Sequence, residues 1–217
     1  MTLPHYQLYI DGAFCDGSGA IMTSINPADG HPWASFGATT PADVDRAIAA
    51  AKRAQNDPAW RDMTQTQRGK LLFKLADLIE AHAGELGRLE TSDSGKLLAE
   101  TASQTKYVAD YYRYYAGLAD KIEGAVLPID KPDMHVFTTR MPIGVVAAVV
   151  PWNAQMFLSA TKLGPALAAG CSVILKASEI APIPMLEFAK LIDRAGFPAG
   201  VVSVITGDAE NCAIPLT

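Results

Sequence analysis

The 217-residue chain is 49% apolar, carries a formal net charge of −5 and contains no basic run. That is chain enough for one large soluble domain or one and a half, and the acidic balance excludes a broad nucleic-acid footprint, which needs a clustered basic surface. The longest apolar stretch, residues 143–152, is too short to span a bilayer and is interrupted by Pro151, so no membrane partner is expected.

The three cysteines, Cys15, Cys171 and Cys212, are odd in number and far apart. They lack the paired spacing of a zinc site and read as free thiols of a reducing compartment; no metal is expected. Residues 1–10 lack a basic region followed by an apolar run, so no secretory signal is read there. The expectation is a cytoplasmic protein.

Residues 7–15 read as a β-hairpin about Asp11-Gly12, a strong two-residue turn signal. Asn26-Pro27-Ala28-Asp29-Gly30 marks another turn. Thr40-Pro41-Ala42-Asp43 opens a helix: threonine caps, proline takes the first position, and aspartate suits the positive end. Val44, Ala47, Ile48 and Ala51 follow at helical spacing. Thr64-Gln65-Thr66-Gln67 is a capping box for the next helix, whose stripe is Leu71, Leu72, Leu75, Leu78 and Ile79.

A further helix is expected over about residues 83–92, ending at Asp93-Ser94-Gly95-Lys96, although Gly84 and Gly87 count against it. A long helix over about 98–121 carries Tyr107, Tyr111, Tyr112, Tyr114 and Tyr115. No basic groove accompanies these rings, so packing between helices is the better reading than a platform for bases. Past Gly124, two β-prone runs at 126–129 and 136–140 form a two-stranded arm, which is marginal alone and should pack on something else, such as another subunit.

From Met141 strands and helices alternate. The apolar run 143–150 predicts a strand covered on both faces. Helices are expected over about 157–169 and 185–195, with strands at 172–175 and 201–205. This is a parallel sheet with right-handed crossovers, of too few strands for a complete doubly wound domain.

Two strand tips carry polar groups. Asn153, expected as a buried amide, directly follows the first strand. An amide there can donate to an oxyanion, an effect worth roughly 3–4 kcal/mol in comparable sites. Taken alone, Pro151-Trp152-Asn153 reads better as a turn asparagine bonding its own backbone, and only the surrounding segments favour the donor role. Lys176, Ser178 and Glu179 end the second strand, the place where open α/β sheets bind ligands. A carboxylate accepts both hydroxyls of a ribose and repels a 2′-phosphate. The bland alternative is a surface Lys and Glu, with Ser178 capping a helix that Pro182 and Pro184 delay. No Gly-x-Gly-x-x-Gly follows any strand.

The ordered set of these pieces resembles the aldehyde dehydrogenase superfamily over almost the whole chain. It comprises Asp11-Gly12, Asn26-Pro27, Asp93-Ser94-Gly95-Lys96, residues 115–122, Pro142-Ile143-Gly144-Val145, Pro151-Trp152-Asn153, Lys162 to Gly170, Lys176 to Glu179, residues 195–202 and Thr206-Gly207. The resemblance implies an aldehyde dehydrogenase-like α/β fold. A partial Rossmann-type parallel sheet (143–217) would follow N-terminal hairpin and helices (1–123) and an oligomerisation arm (124–142).

It also implies oxidation of a small-molecule aldehyde to a carboxylic acid with NAD, NADP being disfavoured by Glu179. Asn153 resembles the oxyanion amide, and Lys162 a lysine of a charge relay. Val150, Pro151 and Trp152 look like the strand end against the cofactor. Lys176, Ala177, Ser178 and Glu179 resemble the ribose-binding segment, and Gly207 a glycine beside the adenosine. Asp93 resembles a residue near an alkali cation in some relatives, with a helix-end cap as the other reading.

Six positions at four places depart from the family pattern: Ala154-Gln155, Cys171, Ala177 and Asp208-Ala209. The family's cysteine nucleophile and glutamate base have no counterpart among Cys15, Cys171, Cys212 and the residues around them. The resemblance therefore implies the N-terminal, cofactor-binding part of a homodimeric or homotetrameric enzyme, truncated and inactive alone. Two alternatives stand beside it: a complete non-catalytic nucleotide-binding or oligomer-forming module, and a truncated product with an exposed sheet edge.

Overall fold

The computed structural model describes residues 2–217. The chain opens with β1 (His5–Tyr6) and β2 (Leu8–Ile10), and β3 (Ala13–Cys15) returns antiparallel with Phe14 opposite Tyr9. Asp11 and Gly12 make the turn with φ of 57° and 75°. Two successive left-handed residues give the hairpin turn whose twist matches the strands, which is why Asp-Gly sits there. β4 (Ile21–Ile25) and β5 (Pro32–Gly37) flank the Asn26–Gly30 turn, and β1 adds to β5 in parallel. The turn was legible in the sequence; its two strands were not, because Thr23 and Ser24 dilute the apolar pattern.

Helix α1 (Pro41–Asn56) starts with Thr40 and Asp43 in a reciprocal capping box. Asp43 also accepts from the Ser18 backbone N–H and hydroxyl at 2.8 and 2.9 Å. Burial opposes its ionisation, but the bonds from Ser18 and Thr40 outweigh it and hold the carboxyl below its ordinary value. After α2 (Pro58–Arg61), the Thr64–Gln67 box opens α3 (Gln65–Ala81). Leu72, Leu75 and Ile79 of its stripe are fully buried. Each such side chain contributes about 2 kcal/mol of transfer free energy.

α4 (Ala83–Ser94) and α5 (Leu98–Leu118) pack together. Gly87 lets them approach: a Cβ there would come within 2.9 Å of the Ala102 backbone. A 3₁₀ turn, Ala119–Lys121, finishes what the sequence reads as one helix. Of the tyrosines, Tyr112 is fully buried against Phe188, as helix packing requires, whereas Tyr107 and Tyr114 are exposed. The arm pairs β6 (Val126–Leu127) with β7 (Val136–Phe137) antiparallel, and Val126 and Phe137 remain 70% and 65% exposed.

The central sheet contains β8 (Val145–Val149), β9 (Ser172–Ala177) and β10 (Val202–Thr206) in parallel. Helices α6 (Gln155–Ala168) and α7 (Ile183–Ala195) make the crossovers. The strand order is β3-β2-β10-β9-β8, so the N-terminal hairpin extends the parallel sheet through Tyr9 opposite Val204. The Tyr9 hydroxyl donates to Asp193 of α7 at 3.1 Å and fastens it there.

β8 lies at the other edge. Ala148 and Val150 are buried, while Ala147 and Val149 are exposed. Among the described residues the expected cover on both faces of this strand is not met: one face of β8 carries the buried Ala148 and the other the exposed Ala147 and Val149. β9 and β10 are buried along their whole length. Among the described residues, no helix is long and apolar enough to cross a membrane.

Candidate functional site

The three parallel strands end side by side and are tied together at their tips. The Val150 N–H donates to the Lys176 carbonyl at 3.0 Å. The Thr206 hydroxyl donates to the Ala177 carbonyl at 3.2 Å. Thr39, just ahead of α1, donates its N–H and hydroxyl to the Thr206 carbonyl at 2.9 and 2.6 Å and accepts from the Thr206 N–H at 3.2 Å. These bonds satisfy backbone groups that the ends of strands would otherwise leave unpaired.

At the tip of β9, Lys176 is only 5% exposed, and its Nζ donates to Glu179 Oε2 at 2.7 Å. The glutamate side chain is about one-third exposed, at 31%. A buried amine is tolerable because a carboxylate faces it, and the carboxylate keeps a free oxygen toward solvent. Ala177 is buried within the strand.

Ser178 accepts from the Ile180 N–H at 3.3 Å and so makes a local turn. It does not cap α7, because the N-cap position is taken by Pro182, four residues further on. That start is capped from elsewhere: Asp93 Oδ2 accepts from the Ile183 N–H at 2.8 Å. Asp93 also accepts from the Ser24 hydroxyl, which in turn accepts from Trp33 Nε1 at 3.1 Å. Burial pushes the Asp93 carboxyl up to about 6 against the opposing pull of these hydrogen bonds. Of its two readings, the cap is the one the geometry contains. The helix it caps is remote in sequence.

At the tip of β8, Pro151, Trp152 and Asn153 are all exposed. The expectation of a buried Asn153 amide is not met among the described residues, where Asn153 is exposed and the buried position falls to Gln155. Trp152 and Glu179 line one cleft of about 400 Å³ with Thr23, Pro27, Asp93 and Ile180. Asn153 does not line it. The two tips are therefore neighbours, as expected, but the crevice they share is formed by Trp152 rather than by the amide. Lys162 is half-buried midway along α6. Gly207 follows β10 and is buried, and a Cβ there would stand 3.0 Å from Cys212 Cβ and 3.3 Å from the Thr39 carbonyl oxygen.

Sequence reasoning missed Glu90, an acid only 1% exposed one turn before Asp93. Burial raises its pKa, opposed by Lys96 and by the backbone N–H of Gln155. The signal was the Glu90-x-x-Asp93 spacing, which puts both acids on one helix face. The cysteines offer no activated thiol: burial pushes Cys212 up to about 11 and raises Cys15, and Cys171 is buried. Among the described residues, no group of three His, Cys, Asp or Glu could hold a metal ion.

A mainly parallel α/β sheet with helical crossovers, and with an amine and a carboxylate paired at the tip of its β9 strand, places the fold in the Rossmann-like α/β class. The chain belongs to the aldehyde dehydrogenase family, whose model matches residues 14–217. It is 60% identical over 215 residues to the (Z)-2-((N-methylformamido)methylene)-5-hydroxybutyrolactone dehydrogenase of Acinetobacter baylyi, covering 99% of this chain and 44% of that protein. It is 42% identical to an aldehyde dehydrogenase of Enchytraeus buchholzi, covering 97% of this chain and 43% of that one. The chain thus spans less than half the length of these relatives.

Among solved structures, an NAD+ complex of an aldehyde dehydrogenase from Bacillus cereus superposes with a TM-score of 0.95 at 36% identity, over 98% of this chain and 43% of that one. A betaine aldehyde dehydrogenase from Staphylococcus aureus in complex with NAD+ gives a TM-score of 0.94 at 34% identity, over 97% of this chain and 42% of that one.

Proposed function

We propose that these residues form the cofactor-binding, oxyanion-donating part of an NAD-dependent aldehyde dehydrogenase. The enzyme oxidises a small aldehyde to its carboxylic acid. The observation that carries this reading is the Lys176–Glu179 pair at the tip of β9, hydrogen-bonded in register to the strand that leads to Asn153.

In this reading Lys176 donates to a ribose hydroxyl while Glu179 accepts from one, and a 2′-phosphate would meet the Glu179 charge. Val150, Pro151 and Trp152 form the wall at the neighbouring tip, and Ala177, Ser178 and Gly207 the floor beneath the sugar. Bound NAD supplies the hydride acceptor. The exposed Asn153 amide donates to the oxygen of the reacting carbonyl, where a preorganised donor lowers the barrier by roughly 3–4 kcal/mol. Lys162 takes the place of the relay lysine. The cysteine nucleophile and the glutamate base are assigned to the portion of the family fold outside the matched region.

The same reading divides the residues into an N-terminal portion (1–123), an arm (124–142) and the Rossmann-type portion (143–217). The arm joins subunits into a homodimer or homotetramer, which the bare Val126 and Phe137 side chains support. A cytoplasmic setting is supported by three unpaired cysteines. The 60% identity to a 5-hydroxybutyrolactone dehydrogenase makes such lactols, the ring-closed form of aldehyde acids, the first substrates to try.

The test is aldehyde-dependent reduction of NAD by the natural full-length protein, followed by cofactor fluorescence. Turnover with a 5-hydroxybutyrolactone or a simple aldehyde is expected. No turnover with any aldehyde, together with no heat of NAD binding, would overturn the reading.

A further inference from the structure

A second cavity, of about 350 Å³, opens where the start of α3 meets the end of α6 and the return from the arm. Arg61, Arg68 and Arg140 line it, together with one acid, Asp62. That acid is taken: it accepts from Arg61 Nε and Nη2 at 2.8 and 3.1 Å. Among the described residues, neither Arg68 nor Arg140 is paired with a carboxylate. The wall therefore carries the unopposed charges of Arg68 and Arg140. The start of α3 faces the same cavity, and the positive end of its dipole adds to them.

Arg68 is only 7% exposed. Burial lowers its pKa, and a buried charge without a counter-charge destabilises the fold around it. The guanidinium is nevertheless held in a fixed place. Its Nε donates to the Ala168 carbonyl at 3.3 Å and its Nη1 to the Met63 carbonyl at 2.7 Å. Gly170 leaves room for the plane of the fork: a Cβ there would stand 3.2 Å from Arg68 Cζ. Among the described residues Nη2 has no acceptor, so a preset donor remains for a ligand.

We infer that this cavity is a binding site for a dianionic oxyanion of the phosphomonoester class. Guanidinium forks match phosphate oxygens bidentately. A phosphomonoester carries a charge of about −1.5 to −2 near neutral pH, which balances Arg68 and Arg140 together; a monocarboxylate balances only one of them. The volume falls within the range of small-molecule pockets, about 300–1,000 Å³. Ile122 and Met141 make part of the wall apolar, which suits an ester on a short carbon body better than the bare ion. None of the residues assigned to the cofactor or the aldehyde lines this cavity, so the inference does not rest on the proposed function.

The experiment is calorimetric titration of the natural full-length protein with inorganic phosphate and with glycerol phosphate, and with acetate for comparison. Millimolar or tighter binding of both phosphates is expected, with acetate about tenfold weaker or more. Arg140 and Asp62 are exposed, so their variants should fold. R140Q is expected to weaken phosphate about tenfold, and D62N, which removes the negative charge of the cavity, to tighten it about threefold. R68Q should abolish binding; where it does not fold, R140Q and D62N decide. No binding of phosphate to the wild-type protein would overturn the site, as it would if a carboxylate of the remaining chain or of a second subunit lay against Arg68. Acetate bound as tightly as phosphate, or phosphate affinity unmoved in both R140Q and D62N, would overturn it equally.

Discussion

Lys176 Nζ donates to Glu179 Oε2 across 2.7 Å, from a buried amine to a carboxylate that remains partly in solvent. In the proposed reading the pair ties the stability of the β9 tip to recognition of the cofactor ribose. Glu179→Gln keeps the shape and an acceptor oxygen but removes the charge. Discrimination between NAD and NADP is expected to fall about tenfold, ~1.4 kcal/mol, in the ratio of their dissociation constants. Stability should fall by about 1–2 kcal/mol, because Lys176 loses its counter-charge. Calorimetric titration and denaturant melts check the two; an unchanged cofactor preference removes Glu179 from the ribose.

Asn153 is exposed and belongs to no core. Asn153→Ala should therefore leave stability within about 0.5 kcal/mol of wild type, as surface substitutions do. Thioester formation is expected to slow about 100-fold or more, with NAD affinity nearly unchanged. Rapid-quench measurement of the acylation step checks this. Wild-type acylation in the variant would take Asn153 out of the mechanism.

The Asp93 carboxyl makes a pH prediction. Its value is raised from 3.8 to about 6 by burial. A raised value means that the folded state binds the proton more tightly, so the associated stability is fully present below about pH 4 and is lost as pH rises through about 6. The loss is about 2–3 kcal/mol. Asp93→Asn should flatten this part of the stability profile between about pH 4 and pH 6, read as the difference between variant and wild-type melts. Equal slopes for the two proteins would contradict the assignment.

Val126 and Phe137 stand on opposite strands of the arm as register partners with their side chains largely bare. Phe137→Asp is expected to leave the secondary structure and thermal midpoint of the protomer intact while lowering the mass of the full-length assembly in sedimentation. An unchanged assembly would move the subunit contact away from the arm.

Elements written in short stretches of chain were legible without coordinates. Asp11-Gly12 gave the hairpin because two left-handed residues suit few other pairs, and Thr40 and Thr64 announced helix starts because a cap acts within three residues. The apolar runs at 143–150, 172–175 and 201–205 announced strands, and their alternation with helices required parallel pairing. Lys176 and Glu179, three apart, could be placed at one tip from spacing alone.

Contacts between distant segments were another matter. That Tyr9 pairs with Val204 and that Asp93 caps a helix 90 residues away follow from which edges and which N–H groups the packed chain leaves free. Local sequence encodes torsion preference and periodicity, which act over a few residues. Edge, burial and capping partner are properties of the assembled sheet, set only when segments far apart in the chain compete for the same unpaired groups.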